Sequence, residues 1–290
     1  MKEITIISGK GGTGKTSISA AFATLEYNLV VADCDVDAAN LYLILQPENE
    51  IEEVYISGHR AVIDYSLCTH CGLCANYCRF DAITSTNGKI EIVDTSCDGC
   101  KLCSRICPAG AIVMVPNDKS RWYAGVYRNG QMVHARLAPG EENSGKLVNV
   151  VREYARKVAA ETKAETIIID GPPGTGCPVI SALSGVKIAL LVTEPSKSGF
   201  HDLKRIFELT ENFNIKSMVV INKYDLNIDM ARKIEEWCSI FSIPVLGKIP
   251  FDRQMIDAML QCRSIVEYSP ESLVSQEIKS IWTLLKIAIE

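Results

Sequence analysis

Near the N-terminus, Gly9-Lys10-Gly11-Gly12-Thr13-Gly14-Lys15-Thr16 follows the pattern GxxxxGK[ST]. Glycines at this spacing let the backbone turn tightly enough to aim its N–H groups at phosphate oxygens. Lys15 then reaches the β- and γ-phosphates, and the Thr16 hydroxyl ligates Mg2+. Gly11, Gly12, Thr13, Gly14, Lys15, Thr16 and Ser17 are the candidate phosphate-binding set, with a helix N-terminus adding favourable dipole. The plainer alternative is a glycine-rich turn with a solvated lysine. Cysteine carries a second chemistry. Of the 12 cysteines, eight form two runs, Cys68, Cys71, Cys74, Cys78 and Cys97, Cys100, Cys103, Cys107. Thiols this closely spaced, in a chain that reads as cytosolic, point to metal and not to disulfides.

The phosphate motif needs a strand before it and a helix after it. Residues 4–8 are β-branched and apolar and read as a buried parallel strand. Residues 16–27 are alanine-rich and fit a helix. Residues 29–32 read as the next strand, delivering Asp33 and Asp35. Residues 167–169 form a strand that ends in Asp170, which is placed to hold Mg2+ through water. Further strands at 187–193, 217–222 and 245–249 alternate with helices near 200–212, 229–241, 253–261 and 271–289. This alternation predicts an α/β fold with a doubly wound, mostly parallel sheet. Arg128-Asn129-Gly130 between β-rich runs at 121–127 and 131–137 marks a hairpin. Leu147, Val150, Val151, Tyr154, Ala155 and Val158 keep helical spacing.

The cysteine segment interrupts the alternation and contains a repeat. Cys68, Cys71, Cys74, Cys78, Ala82 and Ile83 recur 29 positions later as Cys97, Cys100, Cys103, Cys107, Ala111 and Ile112. Leu73 and Leu102 pair at the same offset. Two copies suggest one small pseudo-symmetric domain, since a solenoid needs three or more. The expected organisation is an inserted domain at 58–117, with residues 1–57 and 118–290 forming the two segments of the α/β domain.

With 290 residues, 47% apolar, 22% charged and a net charge of −5, the chain has a soluble globular composition. That acidity argues against a sequence-independent grip on nucleic acid. No apolar run reaches membrane-spanning length, and the N-terminus turns glycine-rich too soon for a signal peptide. A cytoplasmic protein is expected.

Lys10 makes the phosphate loop resemble the deviant form KGGxGK[ST] of the MinD/ParA/Mrp/nitrogenase-iron-protein superfamily of P-loop ATPases, a SIMIBI-type fold. The resemblance implies a nucleotide-sandwich homodimer in which Lys10 reaches the partner's phosphates. Lys10, Lys15 and Asp35 would then be catalytic. Asp33-Cys34-Asp35-Val36-Asp37-Ala38-Ala39-Asn40 resembles the first switch, with Asp35 at the water-orienting position. Asp170-Gly171-Pro172-Pro173-Gly174-Thr175-Gly176 resembles the second switch, most closely that of the Mrp branch. For Asp33 and Asp37, helix capping or support is an equal alternative. Asn222-Lys223-Tyr224-Asp225 looks like the NKxD base-reading motif, and Pro250-Phe251-Asp252 resembles a second base-contacting loop. Asn222, Asp225 and Pro250 are the candidate base contacts. Asp225 would select guanine, while Lys10 selects a family that uses ATP. ATP with Mg2+, held by Thr16 and Asp170, is the expected cofactor.

The cysteine runs resemble those of bacterial ferredoxins, in which the fourth cysteine of each run ligates the other cluster. This implies two [4Fe–4S] clusters, one on Cys68, Cys71, Cys74 and Cys107, the other on Cys97, Cys100, Cys103 and Cys78. Arg79 departs from the pattern, which has proline there. Zinc is the rival, because CxxC pairs also build zinc sites. The combination suggests a nucleotide-driven electron-transfer protein with a redox partner. An iron–sulfur or metal-cofactor assembly ATPase of the Mrp kind, with an apo-protein partner, is the alternative. A partitioning or positioning ATPase would need a DNA-binding surface or membrane-tethering tail, and residues 272–290 read better as a helix packed on the core. Cys177 lies seven residues after Asp170, the offset of a cluster-ligating cysteine in the nitrogenase iron protein, although a structural thiol is the plainer reading. Cys34, Cys238 and Cys262 read as small core residues. Residues 134–145 suggest either a hairpin exit with a helix cap or a dimer- or nucleotide-sensing element.

Overall fold

The computed structural model of the chain describes residues 1–56, 58–141 and 144–289. Its strands, in chain order, are β1 (Lys2–Ser8), β2 (Leu29–Asp33), β3 (Glu48–Tyr55), β4 (Gly58–Ile63), β5 (Ile83–Thr86), β6 (Lys89–Ile92), β7 (Ile112–Asn117), β8 (Ser120–Tyr127), β9 (Gly130–Arg136), β10 (Thr166–Pro173), β11 (Ile188–Thr193), β12 (Lys216–Asn222) and β13 (Val245–Ile249). One sheet runs β13-β12-β11-β1-β10-β2-β9-β8-β3. From β13 to β9 every pairing is parallel. Its middle strands are apolar and buried throughout, as covering helices on both faces require. The expected mostly parallel α/β sheet is therefore present.

The chain divides into two compact units. The first comprises Met1–Glu52, Tyr123–Ala135 and Ser144–Glu290, and the second Glu53–Trp122 and Arg136–Asn143. The second is wider than 58–117, because it begins within β3 and takes in a return segment after β9. Part of the 134–145 reading, at residues 142 and 143, lies outside the described residues.

In the first unit, Phe22 of the helix Lys15–Leu25 packs against Trp282 with ring centroids 4.9 Å apart. Trp282 belongs to the helix Leu273–Ile289, which buries Val274, Ile278, Ile281 and Leu285 in the same core. The expectation that this terminal segment packs on the core agrees with that burial. The expected hairpin forms between β8 and β9. Gly130 starts β9 because a Cβ there would lie 2.1 Å from the Leu29 carbonyl. Strand β3, Glu-Asn-Glu-Ile-Glu-Glu-Val-Tyr, escaped the sequence reading. It is an edge strand with mostly exposed side chains, so it carries charges instead of an apolar alternation.

The second unit holds two antiparallel pairs, β4 with β7 and β5 with β6. The 29-residue repeat is written into this pairing. Ile63 faces Ile112, and Ile92 faces Ile83, which is the same pair with the copies exchanged. Each copy thus lends a strand to the other. Backbone conformation repeats too: His70 and Gly99, Gly72 and Lys101, and Asp81 and Gly110 all have positive φ. The short helices Leu73–Asn76 and Leu102–Ile106 also correspond.

Candidate functional site

The phosphate motif lies between the C-terminal end of β1 and the helix Lys15–Leu25. Gly14 caps that helix with φ +96°, and a Cβ on it would sit 2.3 Å from the Asn222 amide nitrogen. Glycine is therefore required there by both conformation and space. Gly9 is required by contact, since a Cβ would meet the Asp202 carbonyl at 2.4 Å.

A cavity of about 600 Å³ opens over this loop. Gly11, Gly12, Gly14, Lys15, Thr16 and Ser17 line it, as do Asp35, Asn222 and Pro250. Thr13 is buried behind the loop. Asp225 does not line the cavity; its Oδ1 accepts a 2.7 Å hydrogen bond from the Phe251 backbone and ties together the two loops read as base-contacting. Asn222 is also committed to the scaffold. Its Nδ2 donates to the Thr13 carbonyl at 2.8 Å, and its Oδ1 accepts from the Lys223 backbone at 3.0 Å.

Asp170, at the end of β10, is fully buried. Its two oxygens accept from Thr16 Oγ1 at 2.8 Å and Ser19 Oγ at 2.7 Å. Burial pushes its carboxyl up to about 6, against the charge of Lys15 and these two hydrogen bonds. Asp33, equally buried, is raised by burial and by the neighbouring Asp170, despite accepting from the backbones of Asp35 and Leu41. A divalent cation beside Thr16 and Asp170 would relieve this crowding of acids, so the residues fit Mg2+. Asp33 performs the supporting role that sequence allowed it. Asp35 is raised by burial, opposed by Lys15, and remains at the cavity wall.

Sequence reasoning missed Ser19 and an apolar wall of Met255, Ile256 and Met259 beside Phe251. Ser19 was findable, three residues after Thr16 on the same helix face. The apolar wall was not, because its spacing is that of any amphipathic helix.

The second unit brings the two cysteine runs together. One hollow is walled by Cys68, Cys71, Cys74 and Cys107, beside Ile63, Ile90 and Ile112. Another is walled by Cys97, Cys100, Cys103 and Cys78, with Cys74 at its margin. These are the two sets of four that the resemblance to bacterial ferredoxins implies. All eight thiols are free, and the Ala111 N–H donates to Cys107 Sγ at 3.3 Å. Burial raises the Cys74 thiol, and Cys107 and Cys68 add to it; burial raises Cys103 likewise, with Cys97 and Cys100 adding. Among the described residues no three His, Cys, Asp or Glu side chains converge as they would on a single ion. A cubane, whose four irons each take one thiolate, needs four sulfurs spread around a larger body.

Cys177 is exposed at the first position of the helix Cys177–Leu183. Cys34 and Cys238 are buried, as expected of core thiols, while Cys262 is half-buried.

A family profile, the CobQ/CobB/MinD/ParA nucleotide binding domain, matches residues 4–265. The Methanocaldococcus jannaschii protein MJ0578 is 37% identical over 290 residues, covering 98% of this chain and 96% of its own. The Pyrococcus furiosus cell division ATPase MinD shares the fold with a TM-score of 0.60 at 20% identity, covering 99% of each chain. Pyrococcus horikoshii MinD, solved as a complex with Mg-ADP, gives 0.58 at 20% identity, covering 99% of this chain and 97% of its own. No helix among the described residues is long and apolar enough to cross a membrane.

Proposed function

Because the chain belongs to the CobQ/CobB/MinD/ParA nucleotide-binding family, we propose that it is a Mg-ATP-hydrolysing iron–sulfur protein in which nucleotide state controls electron transfer through two [4Fe–4S] clusters. The observation that carries the iron–sulfur half is the sorting of eight cysteines into two hollows, with Cys78 and Cys107 crossing to the other copy's set. The binding of Mg-ADP by a MinD of the same fold supports the nucleotide half.

In this reading Lys15 and the loop N–H groups bind the phosphates, and Thr16 and Asp170 hold Mg2+. Asp35, at the cavity wall, orients the attacking water. Lys10 reaches the phosphates of a second copy, making the active species a homodimer. The apolar wall around Phe251 takes the base. The clusters, when bound, supply one-electron redox chemistry, and the cysteines fix their place and limit their exposure. The first unit carries the switches, and the inserted segment lies in sequence between Asp35 and Asp170. A γ-phosphate that orders those switches then biases the insert, and a redox partner receives or delivers the electron.

The test is anaerobic purification followed by redox titration. About eight irons and eight acid-labile sulfides per chain are expected. A non-hydrolysable ATP analogue should shift at least one midpoint by about 40–130 mV, the equivalent of about 1–3 kcal/mol of coupling. Stoichiometric zinc without labile sulfide overturns the cluster assignment, and a strong preference for GTP overturns the base assignment. The half-open setting of the sites, with Cys71 and Cys100 exposed, favours a second reading as a cluster carrier. Unshifted potentials together with cluster transfer to an apo-protein would establish that one instead.

A further inference from the structure

Lys10 belongs to the phosphate loop, yet it is not among the residues that line the cavity. Its ammonium is turned onto the segment that follows β11. Nζ donates to Glu194 Oε1 at 2.6 Å, to Ser198 Oγ at 3.0 Å and to Ser196 Oγ at 3.2 Å. An ammonium has three donors, and all three are matched by acceptors from this one short segment. Its supports are themselves fixed: Ser196 caps the helix Lys197–Asn212 by accepting from the Gly199 N–H at 2.9 Å.

Glu194 holds a second lysine. Its Oε2 lies 3.5 Å from Lys223 Nζ, which donates to the Gly12 carbonyl at 3.0 Å. A single carboxylate thus sits between the two lysines that flank the phosphate loop. Partial burial would raise this carboxyl, but Lys10 first, and Lys223 after it, hold it below the usual carboxylate range. The pair is neither deeply buried nor freely solvated, with Lys10 27% and Glu194 21% exposed. A contact of this kind is strong enough to fix a long side chain and weak enough to be exchanged for a phosphate, which bears more charge.

We propose that Glu194, with Ser196 and Ser198, is a holding site for Lys10 in the single protomer, and that pairing of two copies across nucleotide requires Lys10 to exchange Glu194 for phosphate. This rests on the reading of Lys10 as the residue that crosses to a second copy. Glu194 is then a positioning residue: it sets the protein and nucleotide concentrations at which pairing occurs without touching nucleotide itself. It keeps Lys10 from its own phosphates and from adventitious anions until a partner arrives.

Two measurements on the full chain test it. The variant Glu194→Gln keeps the shape and an acceptor oxygen but removes the charge. Bound to a non-hydrolysable ATP analogue, it should pair at a protein concentration roughly three- to tenfold lower than the unaltered chain, as expected for loss of a partly exposed ion pair. In nucleotide-free protein, an amine-acylating reagent read by mass spectrometry should modify Lys10 faster in Glu194→Gln, with Lys279 as the internal reference. Ser198→Ala should move both readouts the same way by less. Unchanged Lys10 labelling, or pairing of Glu194→Gln at an equal or higher concentration, overturns the holding site. If the unaltered chain fails to pair with nucleotide at any concentration, the two-copy reading of Lys10 falls first and takes the pairing arm with it.

Discussion

The first unit buries Ile4, Ile6, Phe22, Leu190, Ile278 and Leu285 at zero exposure in one continuous core. In the second, Ala61, Ile63, Ile83, Ile90 and Ile112 form one small buried cluster. Six of its cysteines pack against them as part of that core. Its helices, Leu73–Asn76 and Leu102–Ile106, are too short to persist alone. The contrast is one of materials. The phosphate-binding unit is held by apolar burial and positions its chemistry on a finished scaffold. In the cysteine unit the thiols proposed to carry the chemistry are also part of the scaffold, and bound clusters would then contribute to its fold.

On the proposed iron–sulfur reading, iron removal should separate the two units most sharply. Chelation under reducing conditions, or Cys107→Ala, should leave the segment from Glu53 to Trp122 open to limited proteolysis. The first unit should keep its protease resistance and nucleotide binding. Loss of resistance in both units together would mean that they fold as one. Cys107→Ala should also deplete the site of Cys68, Cys71 and Cys74 before the other, visible as roughly half the iron lost.

Core truncation offers a smaller and graded contrast. Phe22→Ala should cost about 3–5 kcal/mol of stability, whatever the iron content. Ile90→Ala should cost about 2–4 kcal/mol in iron-loaded protein and nothing measurable in iron-free protein, where no cooperative core remains to lose. Urea unfolding of each variant, with and without iron, measures both. An equal penalty for Ile90→Ala in the two states would show that apolar burial alone organises the second unit.

The smallest effect is a pH dependence confined to the first unit. Asp170 is raised to about 6 in the folded chain, above its usual 3.8. A raised carboxyl favours the fold while protonated, so that stability is present below the unfolded value and is lost as pH rises through about 6. Nucleotide-free protein should lose on the order of 2–3 kcal/mol between pH 4.5 and 7.5, and Asp170→Asn should flatten the curve. Affinity for Mg-nucleotide should change in the opposite direction, rising as the carboxylate forms. Protease sensitivity of the second unit should not follow this titration. If it does, the acid pair at the nucleotide site and the cysteine unit are thermodynamically linked.

Much of this molecule was legible without coordinates. Apolar runs at 4–8 and 187–193 became β1 and β11 because a central parallel strand must be apolar on both faces. The 29-residue repeat of the cysteines is plain in the sequence, and the resemblance of its runs to bacterial ferredoxins implied which thiols would share a site. The phosphate loop was equally plain, since its residues follow a contiguous motif, GxxxxGK[ST]. What remained hidden depended on contacts between distant segments. The edge strand β3 carries charges, and its pairing with β8 was needed to make it a strand. Asn222 and Asp225 resemble base readers in sequence, and the structure adds that both are hydrogen-bonded to backbone, at Thr13 and Phe251. Glu194 gave no local signal at all, for it lies 184 residues from the lysine it holds. Periodicity and motif spacing act over a few turns of chain, and they determined the elements and the chemistry present. Which carboxylate meets which ammonium is decided by the order in which β1, β11 and β12 lie side by side, and tertiary structure alone contains that order.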